Sequence, residues 1–174
     1  MDLQYIVATN NTQYNERMKT YLEQNATKSN FDRSSILKTN KNNNGIMCRD
    51  EIENSYIRNS IKKSYTFIVY CSNDDTTIIT GICVFRVYKE YIYVYLLCTS
   101  SEGGIGKRLL NLLCKFAEKN NILVILNPIE SAKTFYQKMK FTENMVYPGS
   151  LFWYPSVKSK NNLSVRKLSI KHKR

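Results

Sequence analysis

The run Ser101-Glu102-Gly103-Gly104-Ile105-Gly106-Lys107-Arg108-Leu109-Leu110 leaves an apolar stretch, turns on three glycines and enters a helical apolar pattern. Glycines let the backbone reach positive φ and let a ligand approach without meeting a Cβ, so consecutive N–H groups can converge on one anion. The helix beginning near Gly106 adds its unsatisfied N-terminal donors and the positive end of its dipole at the same spot. A pyrophosphate fits such a place. Alone, a G-x-G turn describes an ordinary tight connection between strand and helix equally well. A P-loop would need glycine at 101 and serine or threonine at 108, where Ser101 and Arg108 stand. A dinucleotide-binding turn would need its third glycine at 109, which is Leu109, and no acidic residue closes the following strand at Leu126.

Other site chemistries find little support. Cys48, Cys71, Cys83, Cys98 and Cys114 show no CxxC spacing, and the one histidine, His172, lies in the last three residues. No zinc site can be assembled from that set, and no metal is expected. The odd count and apolar surroundings point to buried reduced thiols. With His172 so placed, a Cys/His or Ser/His/Asp arrangement is hard to build, which weighs against a hydrolase.

The 174 residues suffice for one domain with a full core, at 43% hydrophobic and 12% aromatic content. No apolar run approaches the ~18 residues of a membrane span. The start Met1-Asp2-Leu3-Gln4-Tyr5 lacks a secretory pattern, so a cytoplasmic protein is expected, or a nuclear one, with no membrane partner. The formal charge of +12 is uneven: Lys158, Lys160, Arg166, Lys167, Lys171, Lys173 and Arg174 stand in 157–174 with no acid, leaving 19 basic against 14 acidic residues in the first 156. The expected organisation is therefore a domain over 1–156 and a basic tail over 157–174. Such a tail could bind nucleic acid through salt-dependent, sequence-independent contacts, although no base-reading motif accompanies it and a solvated tail explains the same charge.

The elements that must position the glycine turn follow from periodicity. Leu3 to Ala8 reads as a strand, and Thr12 can cap a helix carrying Tyr14, Met18, Tyr21 and Leu22 on one face. Residues 25–45 read as a long polar loop, and Arg49 to Lys62 as a second helix. Strands over Ser64–Cys71, Thr76–Val87 and Tyr91–Cys98, joined by short turns, must be antiparallel neighbours. A helix over Gly106–Asn120 presents Leu109, Leu110, Leu112, Leu113, Phe116 and Ala117, and Ile122–Leu126 returns as a strand parallel to the one before the helix. A helix over Ser131–Met139 and a hairpin of Met145–Tyr147 with Leu151–Tyr154 complete the pattern.

In this order of elements the chain resembles the GCN5-related N-acetyltransferases over Leu3 to about Tyr154. The family's signature, Arg or Gln, two residues, Gly, one residue, then Gly or Ala, is similar to Ser101-Glu102-Gly103-Gly104-Ile105-Gly106. A second, Ala-x-x-x-Tyr-x-Lys-x-Gly-Phe, is similar to Ala132-Lys133-Thr134-Phe135-Tyr136-Gln137-Lys138-Met139-Lys140-Phe141. Ile79-Thr80-Gly81-Ile82-Cys83 also looks like the family's third strand. Ser101 stands where Arg or Gln is usual, and Lys140 where glycine is.

The resemblance implies an α/β (α+β) fold: a single mixed, mostly antiparallel sheet with helices on both faces and a central parallel strand pair. It implies acetyl-CoA as co-substrate, lying where the strand ending at Cys98 and Thr99 splays from the strand ending at Leu126 and Asn127. Pantetheine would pair with Leu97, Cys98 and Thr99, the pyrophosphate would rest on the amides of Gly104, Ile105, Gly106, Lys107 and Arg108, and Tyr136 would be the general acid for the leaving thiolate. A primary amine of a protein or small molecule would attack the thioester directly. Making a lysine neutral at pH 7 costs about 4.6 kcal/mol and an α-amine about 1 kcal/mol, so a base matters more for the former. Glu90, Glu130, Tyr93 and Tyr95 are candidates, with none singled out, while Asp32, Asp50, Glu51 and Glu53 could attract a cationic acceptor or form a solvated face. Two alternatives remain: a nucleic-acid-binding module, and an acyl-CoA binder of the same fold without turnover.

Overall fold

The computed structural model describes residues 2–6, 13–28, 56, 59–60, 65–70, 79–99 and 104–156. Its elements are strand β1 (Asp2–Ile6), helix α1 (Gln13–Asn25), β2 (Thr27–Lys28), β3 (Tyr65–Tyr70), β4 (Ile79–Val87), β5 (Tyr91–Thr99), helix α2 (Ile105–Asn120), β6 (Leu123–Leu126), a 3-10 turn (Glu130–Ala132), helix α3 (Lys133–Lys138), β7 (Thr142–Glu143) and β8 (Leu151–Trp153). The strands form one eight-stranded sheet in the order β2-β1-β3-β4-β5-β6-β8-β7. β1 with β2 and β5 with β6 pair parallel, and every other neighbouring pair is antiparallel. The mixed, mostly antiparallel sheet with a central parallel pair is thus the expected architecture. Tyr56, Asn59 and Ser60 are helical, inside the helix expected over 49–62.

The core lies between the sheet and α1 with α2. Met18 and Leu22 from α1 and Leu109, Leu110 and Leu113 from α2 are fully buried against Phe85, Ile92 and Val94. Gly81 sets the spacing of that layer: a Cβ there would sit well inside contact distance of Ile105 Cγ2 and 3.3 Å from Leu109 Cδ1, so a side chain would push α2 off β4. The opposite face holds a second cluster of Tyr91, Tyr93, Leu123, Ile125 and Phe152, flanked by half-buried Tyr88, Tyr95, Tyr147 and Tyr154. Tyr56 donates its hydroxyl to the Tyr95 carbonyl at 3.3 Å.

Two expectations need correcting. The polar segment from residue 25 begins with a strand, because the α1 end is tied by Ala26 N–H to Leu22 O at 2.8 Å and turns Thr27 into register with Gln4. A two-residue strand leaves no periodic signal. The last hairpin pairs Thr142–Glu143, not Met145–Tyr147, with β8. Met145 and Val146 are exposed and belong to a turn, where Asn144 Oδ1 accepts the Val146 N–H at 2.8 Å and Asn144 O accepts the Tyr147 N–H at 3.2 Å. This side-chain closure is what asparagine does in turns, and it outweighs the strand preference of Val146 and Tyr147.

Candidate active site

The central feature is the parting of β5 from β6. Their pairing ends at Val94 with Leu126, while β5 continues from Tyr95 to Thr99. On its other edge β5 stays paired with β4, Leu97 opposite Cys83 and Thr99 opposite Gly81. Among the described residues no strand takes the β6-side edge of Tyr95–Thr99. A bulge sits where the strands part: Phe85 opposes Val94 and Val84 opposes Leu96, so Tyr95 is the extra residue. Bulges bend a strand and break its side-chain alternation. Here Ile92 and Val94 join the core cluster beneath α2, but beyond the bulge it is half-buried Leu97 that packs against that cluster, with Leu97 and Thr99 side chains 3.8 and 3.5 Å from the position of a Cβ on Gly106.

The first turn of α2 faces this opening. Gly104 is its N-cap at φ 91°, ψ −7°, a left-handed backbone that glycine takes without a Cβ penalty, with open space where a side chain would project. The first turn holds no acid, and Lys107 and Arg108 are exposed. One part of the expected cradle changes. The Arg108 N–H already closes the first helical turn on Gly104 O at 2.9 Å, so its amide is spent and only its guanidinium remains for a ligand. The amides of Gly104, Ile105, Gly106 and Lys107 precede that bond, and with the cationic side chains they suit a diphosphate. Ser101, Glu102 and Gly103 lie outside the described residues.

Gly106 also lets α3 approach: a Cβ there would come within 3.2 Å of Phe135 Cζ. Tyr136 follows, 7% exposed, its ring edge-on to Phe135 and Phe141 at centroid distances of 5.1 and 5.8 Å. Burial pushes its phenol pKa well above the usual value of 10, with a smaller contribution from Cys83. Its hydroxyl makes no hydrogen bond with the described residues, an unusual state for a buried polar group. α3 is closed by Lys140 at φ 67°, with Lys140 N–H on Gln137 O at 2.9 Å and Phe141 N–H on Tyr136 O at 3.1 Å. The resemblance puts a glycine at this position, and the left-handed backbone supplies the reason.

Asn127 leaves β6 at the mouth of the opening, exposed, and its Oδ1 accepts the Ser150 hydroxyl at 2.6 Å. Ser150 carries no signal by residue type and sequence reasoning missed it, while Tyr95, expected only as a candidate base, has its place here as the extra residue of the bulge. The candidate bases fare poorly. Glu90 precedes the paired end of β5, roughly 30 Å of strand away from Thr99 at about 3.3 Å per residue. Glu130 is exposed and engaged by Lys133 Nζ at 2.7 Å. Burial holds the Tyr93 phenol up at about 12 and drives that of Tyr95 up as well, so both stay protonated at neutral pH. Asp32, Asp50, Glu51 and Glu53 fall outside the described residues. Cys83 and Cys114 are buried free thiols, whereas Cys98 is disulfide-bonded, which corrects the expectation of five reduced thiols. No His/Cys/Asp/Glu cluster able to hold a metal occurs among the described residues, and no helix there is long and apolar enough to cross a membrane.

Strand order, parting and helix placement together define the fold of the GCN5-related N-acetyltransferases. Tetrahymena GCN5 superposes with a TM-score of 0.56 at 15% identity, over 88% of this chain and 96% of that one. The catalytic domain of the Tetrahymena GCN5 histone acetyltransferase in complex with coenzyme A gives 0.51 at 16% identity, over 91% and 98%. The ribosomal-protein-S18-alanine N-acetyltransferase of Escherichia coli gives 0.50 at 13%, over 71% and 86%. No family profile and no curated protein matches the sequence itself.

Proposed function

We propose that this chain is an N-acetyltransferase that moves an acetyl group from acetyl-CoA to a primary amine. The observation that carries the reading is the open β5 edge over Tyr95–Thr99 beside the α2 N-terminus. An extended ligand arm can pair with Leu97 and Thr99 while its diphosphate lies on the amides of Gly104 to Lys107, flanked by Lys107 and Arg108. The coenzyme A complex of the Tetrahymena enzyme, which shares this fold, supports the same assignment. Asn127 borders the mouth, and the backbone of Cys98 lies between the two pairing positions.

The neutral amine attacks the thioester carbonyl, the C–S bond breaks, and the proton shed by nitrogen balances the one gained by sulfur. Tyr136 is the donor to sulfur. Its raised pKa keeps it a phenol throughout the neutral range, so it gives a hydrogen bond and does not act as a base. Complete transfer from a phenol above 10 to a thiolate near 8.5 is uphill, so Tyr136 stabilises charge on the departing sulfur and the ammonium supplies the net proton. The described residues place no carboxylate at the opening. An α-amine or another weakly basic amine needs less help to become neutral than lysine does, so the two classes of acceptor are compared directly.

The test is thiol release from acetyl-CoA across N-terminal peptides, lysine peptides, polyamines and amino sugars, alongside thermal denaturation. Acetyl-CoA at 100 times its Kd stabilises a binding protein by about 2.7 kcal/mol, and loss of 157–174 leaves that shift intact. Stabilisation without thiol release on any amine identifies a non-catalytic acyl-CoA binder. Stabilisation by nucleic acid but not by acetyl-CoA defeats the reading.

A further inference from the structure

β6 and β8 run antiparallel with Leu126 opposite Leu151, so the next residues along, Asn127 and Ser150, face each other where the ladder ends. Across that step the Ser150 hydroxyl donates to Asn127 Oδ1 at 2.6 Å, a short bond for two neutral groups. Ser150 comes from a turn that braces itself. Its N–H reaches Tyr147 O at 3.1 Å, and Gly149 takes φ 82°. Asn144 Oδ1 accepts the Val146 N–H at 2.8 Å, while Asn144 Nδ2 donates to the Tyr154 hydroxyl at 3.1 Å. The hydroxyl therefore arrives from a fixed backbone. On the Asn127 side chain it is the one hydrogen bond formed among the described residues, and Nδ2 has no partner there.

A side-chain amide has two unlike ends, an acceptor oxygen and a donor nitrogen, on opposite sides of the bond that carries them. In the order β5-β6-β8, the end of β6 has β8 on one side and the parting from β5 on the other. Oδ1 held toward Ser150 on the β8 side turns Nδ2 toward the parting, as a donor. Without that hydroxyl, a half-turn of the amide presents an acceptor there instead. The parting is narrowest just past Val94 and Leu126, where Asn127 stands, and the amides of Gly104 to Lys107 lie at its wide end. An arm whose diphosphate rests on those amides brings its sulfur end, and the amide carbonyl next to it, down to Asn127. We infer that Ser150 is a positioning residue: by holding Oδ1 it fixes Asn127 as a hydrogen-bond donor to a carbonyl oxygen of the acetyl-CoA arm. The inference rests on the acetyl-CoA site proposed above and adds to it a residue from the far side of β6.

The experiment is calorimetric titration of acetyl-CoA into the full-length protein and its variants, with thermal denaturation of each and thiol release in parallel. Ser150→Ala should weaken binding roughly two- to tenfold, the worth of one hydrogen bond, and Ser150→Thr, which keeps the hydroxyl, should restore it. Asn127→Asp keeps the acceptor for Ser150 and removes the donor, so Tm should hold while binding falls about tenfold or more. On an Asn127→Ala background, Ser150→Ala should change Kd by less than about twofold, because Ser150 acts only through the amide. Ser150→Ala that lowers Tm and leaves Kd unchanged, Asn127→Asp that binds as tightly as the unaltered protein, or additive losses in the double variant would each reduce the pair to a staple between β6 and β8 and overturn the inference. Kd is read apart from turnover, so weakened binding in these variants supports the inference whether or not thiol is released. An unaltered protein that fails to bind acetyl-CoA at all overturns the functional reading, and this inference with it.

Discussion

Replacing Tyr136 with phenylalanine removes one oxygen and leaves the ring contacts with Phe135 and Phe141 in place. For catalysis, loss of a positioned proton donor costs about 10²–10⁴-fold in turnover. For stability, the sign is reversed. The hydroxyl is buried and lacks a partner among the described residues, and such a group carries a desolvation penalty of about 1–3 kcal/mol. Taking the low end, because the opening beside β5 admits some water, Tyr136→Phe should stabilise the fold by about 1 kcal/mol. In a chain of this length that is a rise in Tm of roughly 2–4 °C. Binding of acetyl-CoA, held mainly by backbone of β5 and α2, should be unchanged. Calorimetry of the free protein, titration with acetyl-CoA and steady-state thiol release read the three quantities separately. A variant that is less active and less stable would show Tyr136 to be a structural tyrosine with a hidden partner. Unchanged activity across the pH range would remove it from the chemistry.

Three further outcomes can be checked with the same assays. Lys140→Gly should raise Tm by roughly 1–4 °C, since relief of a left-handed non-glycine backbone, about 1–2 kcal/mol, exceeds the entropy that glycine adds to the unfolded chain, about 0.4–1 kcal/mol; a fall in Tm would mean the exposed Lys140 side chain makes a stabilising contact. Gly104→Glu should abolish the thermal shift by acetyl-CoA while far-ultraviolet circular dichroism stays native, because it strains the N-cap and sets a carboxylate against the amides of residues 104–107; retained binding argues against the cradle. Burial holds the phenols of Tyr91 and Tyr93 at about 12 in the folded state, above the ordinary value near 10. The unfolded chain therefore loses these protons first, so stability is full below about pH 10 and declines between about 10 and 12, which Tm measured from pH 8 upward will show.

The sheet was legible in the sequence wherever a strand was long or followed by a strong helix. β4, β5, α2 and β6 stand within a few residues of their expected bounds, since Leu109, Leu113 and Phe116 mark a helix face and Leu123–Leu126 a strand buried on both sides. The two-residue strands escaped, because Thr27–Lys28 and Thr142–Glu143 gain their conformation from a neighbour's register and not from their own pattern. At the site, the glycine turn was legible because positive φ restricts residue type, while the donor set was finer than the motif: only the backbone shows that Arg108 spends its amide on the helix. The Tyr95 bulge had no signature. Tyr91–Thr99 is apolar on both parities, so nothing in its composition tells where alternation slips by one.

That slip has a consequence beyond the ligand. A strand with one unclaimed edge is a template on which any other strand can grow, and sheet proteins ordinarily suppress such edges with charge, proline or closure into a barrel. Between Tyr95 and Thr99 the side chains of β5 are buried or half-buried, so a charge there would be desolvated, and a proline would remove a backbone donor from the strand. It confines the hazard by geometry: the bulge turns the exposed stretch out of line with the paired stretch, and α2 stands over its far end. What remains is a short, bent edge, long enough for a slender arm and a poor template for a long flat strand.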